Sequence, residues 1–313
     1  MLWKHVVAGV DETPQGVAAA VAGARLATVL DGECTPVHAV REFWLEFAEE
    51  DVVQGTAELQ AAVVGTARER VHALLAGHVP QDVQRRLIVR PGRAGVVLRD
   101  VAREIRADAV VLGGKHHSDI GRWIGGSTAH DAVRGSGLPV LVALPATDER
   151  PFQRILAAVD LSEAALPTAT TARQIAEALG AQLRGLCVIE APVPLPEMMP
   201  LLAQPEYSRA AERVLRRRVW PLLGSGAETV MREGAIADTI EREVRDWGAD
   251  LVVVGSHGKR WAERLILGSV TEQLLRALPC SLLVVPVKGG KVERLAPAVH
   301  KVRGKRPARR VAR

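Results

Sequence analysis

Short, uninterrupted apolar runs separated by longer segments of helical periodicity are the first regularity of this chain. Strands covered on both faces by helices read as continuous runs of small aliphatic residues, not as alternating ones. In the first half such runs predict strands at Lys4 to Val10, Glu33 to Val40, Arg86 to Arg90, Ala109 to Gly113 and Pro139 to Leu144. In the second half they predict strands at Gln153 to Asp160, Ala181 to Glu190, Glu228 to Arg232, Asp250 to Gly255 and Ser281 to Val287. Helical patterns fill the intervals, for example Pro167 to Leu179, with Ser162 near its start offering an N-cap oxygen. Strand and helix in strict alternation make right-handed βαβ units and a parallel sheet.

The pattern occurs twice. Val6-Val7-Ala8-Gly9-Val10-Asp11, with Thr13, recurs as Leu156-Ala157-Ala158-Val159-Asp160, with Ser162. Gly92 and Ala107-Asp108-Ala109-Val110-Val111-Leu112-Gly113 recur as Gly234 and Ala249-Asp250-Leu251-Val252-Val253-Val254-Gly255. Gly126-Ser127 maps onto Gly268-Ser269, and Leu138-Pro139 with the strand after it onto Leu278-Pro279. Colinear matches of this kind indicate a tandem duplication. The expected units are residues 1–146, residues 151–287 and a tail, 288–313.

Composition agrees with two domains, since 313 residues exceed what one core usually fills. Hydrophobic residues make up 48% and aromatics only 3%, so the core is built of Ala, Val and Leu. Cys34, Cys187 and Cys280 stand apart in apolar surroundings and read as small core residues, not as a disulfide or metal set. No run reaches the ~18 apolar residues of a membrane span, and Asp11 and Glu12 interrupt any signal-like start. A soluble cytoplasmic protein is the expectation. The formal charge of +5 is misleading, because ten Lys or Arg against the single Glu293 lie between Lys288 and Arg313. The rest of the chain carries 31 basic and 35 acidic residues and is mildly acidic.

The chemistry concentrates in Ala249 to Pro286. A buried strand opens into Gly255-Ser256-His257-Gly258, and after a loop Gly268-Ser269-Val270 enters an amphipathic helix. Glycines after a strand and before a helix bring backbone N–H groups close to phosphates, and Ser269 adds a hydroxyl at a helix N-terminus. In a doubly wound sheet of order 3-2-1-4-5, the first and fourth strands meet at the switch point where ligands bind. Asp160, ending the first strand of the second half, then lies beside the Gly255 turn. An acid there can accept hydrogen bonds from a ribose or an adenine amino group.

The spacing Gly255-x2-Gly258-x9-Gly268-Ser269, together with Asp160, closely resembles the universal stress protein family, over nearly all of both halves but not the tail. The resemblance implies a Rossmann-like α/β fold with five parallel strands per domain, and dimers joined through the last strand. It also implies ATP, AMP or ADP as ligand, with Mg2+ as an accompanying ion, in a stress-response role. By that resemblance Asp160 and Val188 hold the adenosine end, while Gly255, Gly258, Gly268, Ser269 and Val270 hold ribose and phosphates. The first half keeps Asp11, Ala39, Gly113, Gly126 and Ser127 but has His116 where the second glycine belongs. A residue with a side chain is disfavoured at positive φ, and an imidazole crowds phosphates, so the second half is the stronger nucleotide site.

Other residues have weaker claims. Lys259, Arg260 and Arg264 lie in the loop over the expected phosphates, where exposed charges are mostly solvated. His116, His117 and Asp119 suggest a metal only if adjacent histidines converge on one ion, which is rare. Trp123 and Trp261 read as packing residues, and Ala191 to Pro205 as a Pro-rich loop, lid or oligomer contact. The basic tail reads as disordered and without a fixed partner; contact with nucleic acid through phosphate charge is the alternative, but the tail has no aromatic residue to stack on bases. Fusion of the halves allows an intramolecular pseudo-dimer through the last strands, Pro139 to Leu144 and Ser281 to Val287. Two such chains could pair again as a homodimer.

Three functions are open on these residues: a nucleotide-binding regulatory protein, a slow ATPase or nucleotidyl transferase, and a scaffold with empty sites. The first is favoured, since the chain has no GxxxxGK[ST] and no HxGH-type signature. Within the Gly255 to Ser269 loop the groups able to activate water are His257 and Glu263.

Overall fold

A computed structural model describes residues 3–41, 53–114, 127–145, 152–190, 204–256, 268–277 and 279–287. The first half runs β1 (His5–Gly9), α1 (Pro14–Val29), β2 (Glu33–Val40), α2 (Val53–Leu75), a short α3 (Gln81–Arg85) and β3 (Ile88–Pro91). It continues with α4 (Ala94–Glu104), β4 (Ala109–Gly113), α5 (Ser127–Gly135) and β5 (Val140–Ala143). The second half repeats this as β6 (Arg154–Val159), α6 (Ala165–Leu179), β7 (Gln182–Ile189), α7 (Gln204–Arg218), a short α8 (Trp220–Leu223) and β8 (Glu228–Glu233). It closes with α9 (Ile236–Trp247), β9 (Leu251–Gly255), α10 (Ser269–Ala277) and β10 (Ser281–Val285).

All ten strands form one sheet in the order β3-β2-β1-β4-β5-β10-β9-β6-β7-β8. Within each half the pairs are parallel and the order is 3-2-1-4-5, as the repeated strand-helix pattern predicts. The halves join by antiparallel pairing of β5 and β10, Leu141 opposite Leu283, so the two last strands meet as the sequence predicts. Edges that a lone half would leave unpaired are thereby covered within one chain.

Helices cover both faces. On one face α1 and α6 lay Ala19, Leu26, Ala169, Ala172 and Ile175 against Val6, Val111, Leu141, Val253 and Leu283, a single core that crosses the seam. On the other, α4, α9 and α10 bring Val97, Val101, Ile240, Val244 and Leu274 to Val110, Val140, Val252 and Val284. The stripe of small residues on α1 permits close approach: a Cβ on Gly23 would stand 3.0 Å from the Cys34 sulfur and 3.3 Å from the Ala8 Cβ. Cys34 and Cys187 are buried and Cys280 is half-buried, all three as free thiols.

Two acids fix the amino ends of the central strands. Asp108 Oδ2 accepts from the amides of Lys4 (2.7 Å) and His5 (2.9 Å). Asp250 repeats the contact with Gln153 (2.6 Å) and Arg154 (3.0 Å). The halves also share backbone turns. Gly92 and Gly234 lie at φ 130 and 143, Asp31 and Gly180 at 51 and 63, and Arg106 and Gly248 at 52 and 72.

Several boundaries differ from the sequence expectation. The third strand begins at Ile88 rather than Arg86, because Arg86 caps α3 and its guanidinium is held by Asp82 (2.7 Å) and Glu33 (3.0 Å). The last strand stops at Val285, before Pro286, which has no N–H to donate. α6 starts at Ala165 rather than Pro167, and Ser162 is not its N-cap; that position is Ala164, whose amide donates to the Ser162 hydroxyl at 3.3 Å. α1 does have a side-chain cap, Thr13, which accepts from the Gly16 amide at 3.3 Å ahead of Pro14. Strand register pairs Leu251 with Ser281 and Val110 with Val140, so Pro139 corresponds to Ser281 and not to Pro279. The two-residue difference is absorbed in the turn before the strand.

Candidate functional site at the strand carboxyl ends

In the second half, β6 pairs with β7 through Val159 and Cys187, and with β9 through Ala158 and Val254. Carried forward, this register sets Asp160 level with Val188 on one side and with the Gly255-Ser256 turn on the other. The parallel strands thus gather three of the predicted residues, Asp160, Val188 and Gly255, at one end of the sheet, at its switch point. Asp160 is held in place: its Oδ1 accepts from the Ser162 amide at 3.0 Å and from the Ser162 hydroxyl. Asp11 is held in the same way by the Thr13 amide (3.1 Å) and the Thr13 hydroxyl.

Gly268-Ser269-Val270 reach the same place through hydrogen bonds that tie the start of α10 to the end of β9. The Gly268 amide donates to the Ser256 carbonyl at 3.1 Å, and Thr271 Oγ1 donates to the Gly255 carbonyl at 3.1 Å. Ser256 is anchored in turn to the last strand. Its amide donates to Val285 O at 2.8 Å, and its hydroxyl accepts from the Val287 amide at 3.2 Å. Gly268 then opens α10, whose first intrahelical bond runs from the Glu272 amide to Gly268 O at 2.9 Å. The amides of Ser269, Val270 and Thr271 therefore precede the first intrahelical donor and point out of the helix start, where a negative group is favoured.

Ser256 and Thr271 escaped the sequence reading. Both are 4% exposed and neither is a glycine of the motif. The repeat held the signal, because their counterparts in the first half are Gly114 and Ala129, which have no hydroxyl.

In the first half, register again sets Asp11 level with Ala39 and Gly114. Gly113 has a packing reason of its own: a Cβ there would lie 2.1 Å from the Gln15 carbonyl oxygen, so β4 and the start of α1 are in backbone contact. His38 Nδ1 lies 2.8 Å from Val10 O on the same rim. Ser127 begins α5. Gly126, His116, Gly258 and Lys259 lie outside the described residues, as do Arg260, Arg264, His117, Asp119, Trp123, Trp261, Ala191 to Ala203 and the tail from Lys288. Among the described residues no group of three His, Cys, Asp or Glu could hold a metal ion. No helix among them is long and apolar enough to cross a membrane.

Away from this site, Glu243 is buried on α9 and accepts from Arg184 (2.7 Å) and Arg232 (3.0 Å), with Arg184 stacked 4.5 Å above the Trp247 ring. The pairing compensates a charge that burial alone would penalise, and we read it as structural. An open groove of about 320 Å3 runs between α7 and β8, lined among others by Ser208, Arg209, Trp220, Arg232 and Glu233; none of the predicted site residues lines it.

Comparison with known proteins follows the same division of the chain. The family model described as "Universal stress protein family" matches residues 2–143 and again residues 151–286. A universal stress protein of Methanocaldococcus jannaschii is 29% identical over 153 residues, 47% of this chain and 89% of the relative. One from Thermus aquaticus is 31% identical over 141 residues, 43% of this chain and 98% of the relative. The crystal structure of a universal stress protein from Archaeoglobus fulgidus superposes with a TM-score of 0.59 at 16% identity, covering 90% of this chain and 98% of that one, a likeness of fold. Both halves thus carry the same family domain, and the chain belongs to the universal stress protein family as a tandem, two-domain member.

Proposed function

We propose that the second half binds an adenine nucleotide at the carboxyl ends of β6, β7 and β9, and that the chain is a nucleotide-responsive regulatory protein of the stress response. The observation that carries this reading is the 3.1 Å bond from the Gly268 amide to the Ser256 carbonyl. It holds the outward-pointing amides of α10 against the Gly255 turn, on the rim where Asp160 leaves β6. An anionic phosphate chain suits those amides, and an adenosine with hydroxyl and amino donors suits a fixed carboxylate.

In this reading Asp160 and the backbone of Val188 take the adenosine end, and Gly255, Gly258, Gly268, Ser269 and Val270 take ribose and phosphates, with Lys259 as a further phosphate contact. ATP, AMP or ADP fits the donor set, with Mg2+ accompanying a polyphosphate. The residues Asp11, Ala39, Gly113, His116, Gly126 and Ser127 form the weaker site. A cytoplasmic setting and a homodimer of tandem chains belong to the same proposal; a nucleic-acid role for the tail does not.

The test is mass spectrometry of small molecules released from the purified protein, compared between wild type and Gly268→Asp. Adenine nucleotide from the wild type alone is the expected result; none from either, with no binding in calorimetry, leaves a scaffold. Multiple-turnover phosphate release faster than about 1 s−1, abolished by Gly258→Ala, would make the protein an enzyme instead.

A further inference from the structure

The two halves differ at the base of the glycine turn, in two side chains whose hydroxyls bond backbone. In the second half two buried hydroxyls act, one at the end of β9 and one at the start of α10. Thr271 Oγ1 ties the first turn of α10 to the carbonyl of Gly255, and the Ser256 hydroxyl receives the Val287 amide, fixing the turn to the chain leaving β10. Between them lies the Gly268 to Ser256 backbone bond. In the first half, Gly114 keeps the backbone bond to Ala143 O (2.8 Å) that matches Ser256 to Val285, but neither hydroxyl exists. A Cβ on Gly114 would meet Leu144 Cδ2 at 2.8 Å and Val142 Cγ1 at 3.0 Å, so apolar side chains crowd the place from which Ser256 acts in the other half.

We propose that Ser256 and Thr271 are the positioning residues of the second-half site, setting the distance between the Gly255 turn and the α10 amides so that the site recognises the phosphate chain of its ligand, and that loss of both hydroxyls is what distinguishes the first half. This rests on the nucleotide reading above. A ligand that spans a turn and a helix start gains most when both are already in place, because binding then orders less of the protein. Each hydroxyl bonds backbone, so its removal lets the two walls drift without touching a phosphate-contacting atom. Asp160 is held separately by Ser162, so the adenosine end does not depend on either hydroxyl.

The experiment uses the full chain with Ser256→Ala, Thr271→Val and the double variant, titrated calorimetrically with ATP and with adenosine. ATP affinity is expected to fall about tenfold in each single variant, the loss of one ordinary hydrogen-bond free energy to a preorganised wall. The double variant should lose less than the product, since both hydroxyls act on the same Gly255-Ser256 turn. Adenosine affinity should stay within about twofold. Equal losses for ATP and adenosine, or unchanged ATP affinity, would overturn the proposal. Amide hydrogen exchange supplies a readout independent of ligand: the Gly268 and Val287 amides should exchange at least tenfold faster in the double variant, with β6 and β9 unchanged. Unchanged exchange at both amides also overturns it. If wild-type protein binds neither ligand, the nucleotide reading fails, while the exchange result still decides whether the hydroxyls hold the turn.

Discussion

The amide of Leu144, just past β5, donates to the hydroxyl of Ser281, the first residue of β10, across 3.1 Å. It is a bond between halves with no symmetric copy. Strand register makes Pro139 the counterpart of Ser281 and Pro286 the counterpart of Leu144, so the mirrored position has neither a hydroxyl to accept nor an amide to donate. Ser281→Ala would leave a part-buried amide unmatched at the seam. We expect a loss of about 1–2 kcal/mol in denaturant unfolding, with Ser281→Thr retaining most of the stability.

The paired turns give a stabilising change. Arg106 sits at φ 52 where the second half has Gly248 at φ 72. Holding a side chain in the left-handed region costs about 1–2 kcal/mol, against roughly 0.5–1 kcal/mol for the extra freedom glycine brings to the unfolded chain. Arg106→Gly should therefore raise stability by about 0.5–1 kcal/mol, read as a higher denaturant midpoint at unchanged slope. A fall would show that the Arg106 side chain contributes more than its backbone costs.

Period and repeat made most of the architecture legible from sequence. Apolar runs such as Val6 to Val10 and Leu251 to Val254 could only be strands buried on two faces, and colinear repeats required two copies of one unit. Boundaries set by side-chain chemistry were less visible: Arg86 reads as part of an extended run until Asp82 and Glu33 are seen to hold it at a helix end. Motif spacing singled out Asp160, Gly255 and Gly268, which the fold brings to one rim, because glycine and acid signals are local. Ser256 and Thr271 were missed because a serine and a threonine acquire their role only through partners far along the chain, Val287 and Gly255. Matching prolines also misled, since Pro139 and Pro279 align in sequence but occupy different register positions.

Asp250 offers a control for structure without function. Its carboxylate receives the Gln153 and Arg154 amides at the amino end of β6, away from the rim that carries Asp160. Asp250→Ala strands two amides that donate to a charged acceptor, at an expected cost of about 2–4 kcal/mol. Nucleotide affinity of the folded fraction should stay within about twofold. A selective loss of binding at intact stability would place Asp250 in the site.

Alkaline pH should weaken the first half through Cys34. Burial pushes its thiol up to about 12, outweighing the opposing pull of Arg86. Once unfolded, the thiol ionises near 8.5. The unfolded state then binds fewer protons, so the stabilising contribution is intact below about pH 8.5 and is lost progressively as pH rises towards 12. Between pH 9 and 10 wild type should lose more stability than Cys34→Ala, by an amount approaching 1.4 kcal/mol per pH unit for this thiol. Identical slopes would mean that the thiol is solvated in the native state.

Antiparallel pairing of β5 with β10 reverses strand polarity at the middle of the sheet. Asp11 and Asp160 therefore open on opposite rims, and no single small ligand can touch both. A partner that reads the state of both must reach around the molecule or approach it twice. One short strand nevertheless meets both rims. β10 offers Ser281 to Leu144 on the first-half rim and Val285 to the Ser256 amide on the second, about 13 Å apart at four residues of extended chain. The same strand that fuses the two halves thus runs from one rim to the other.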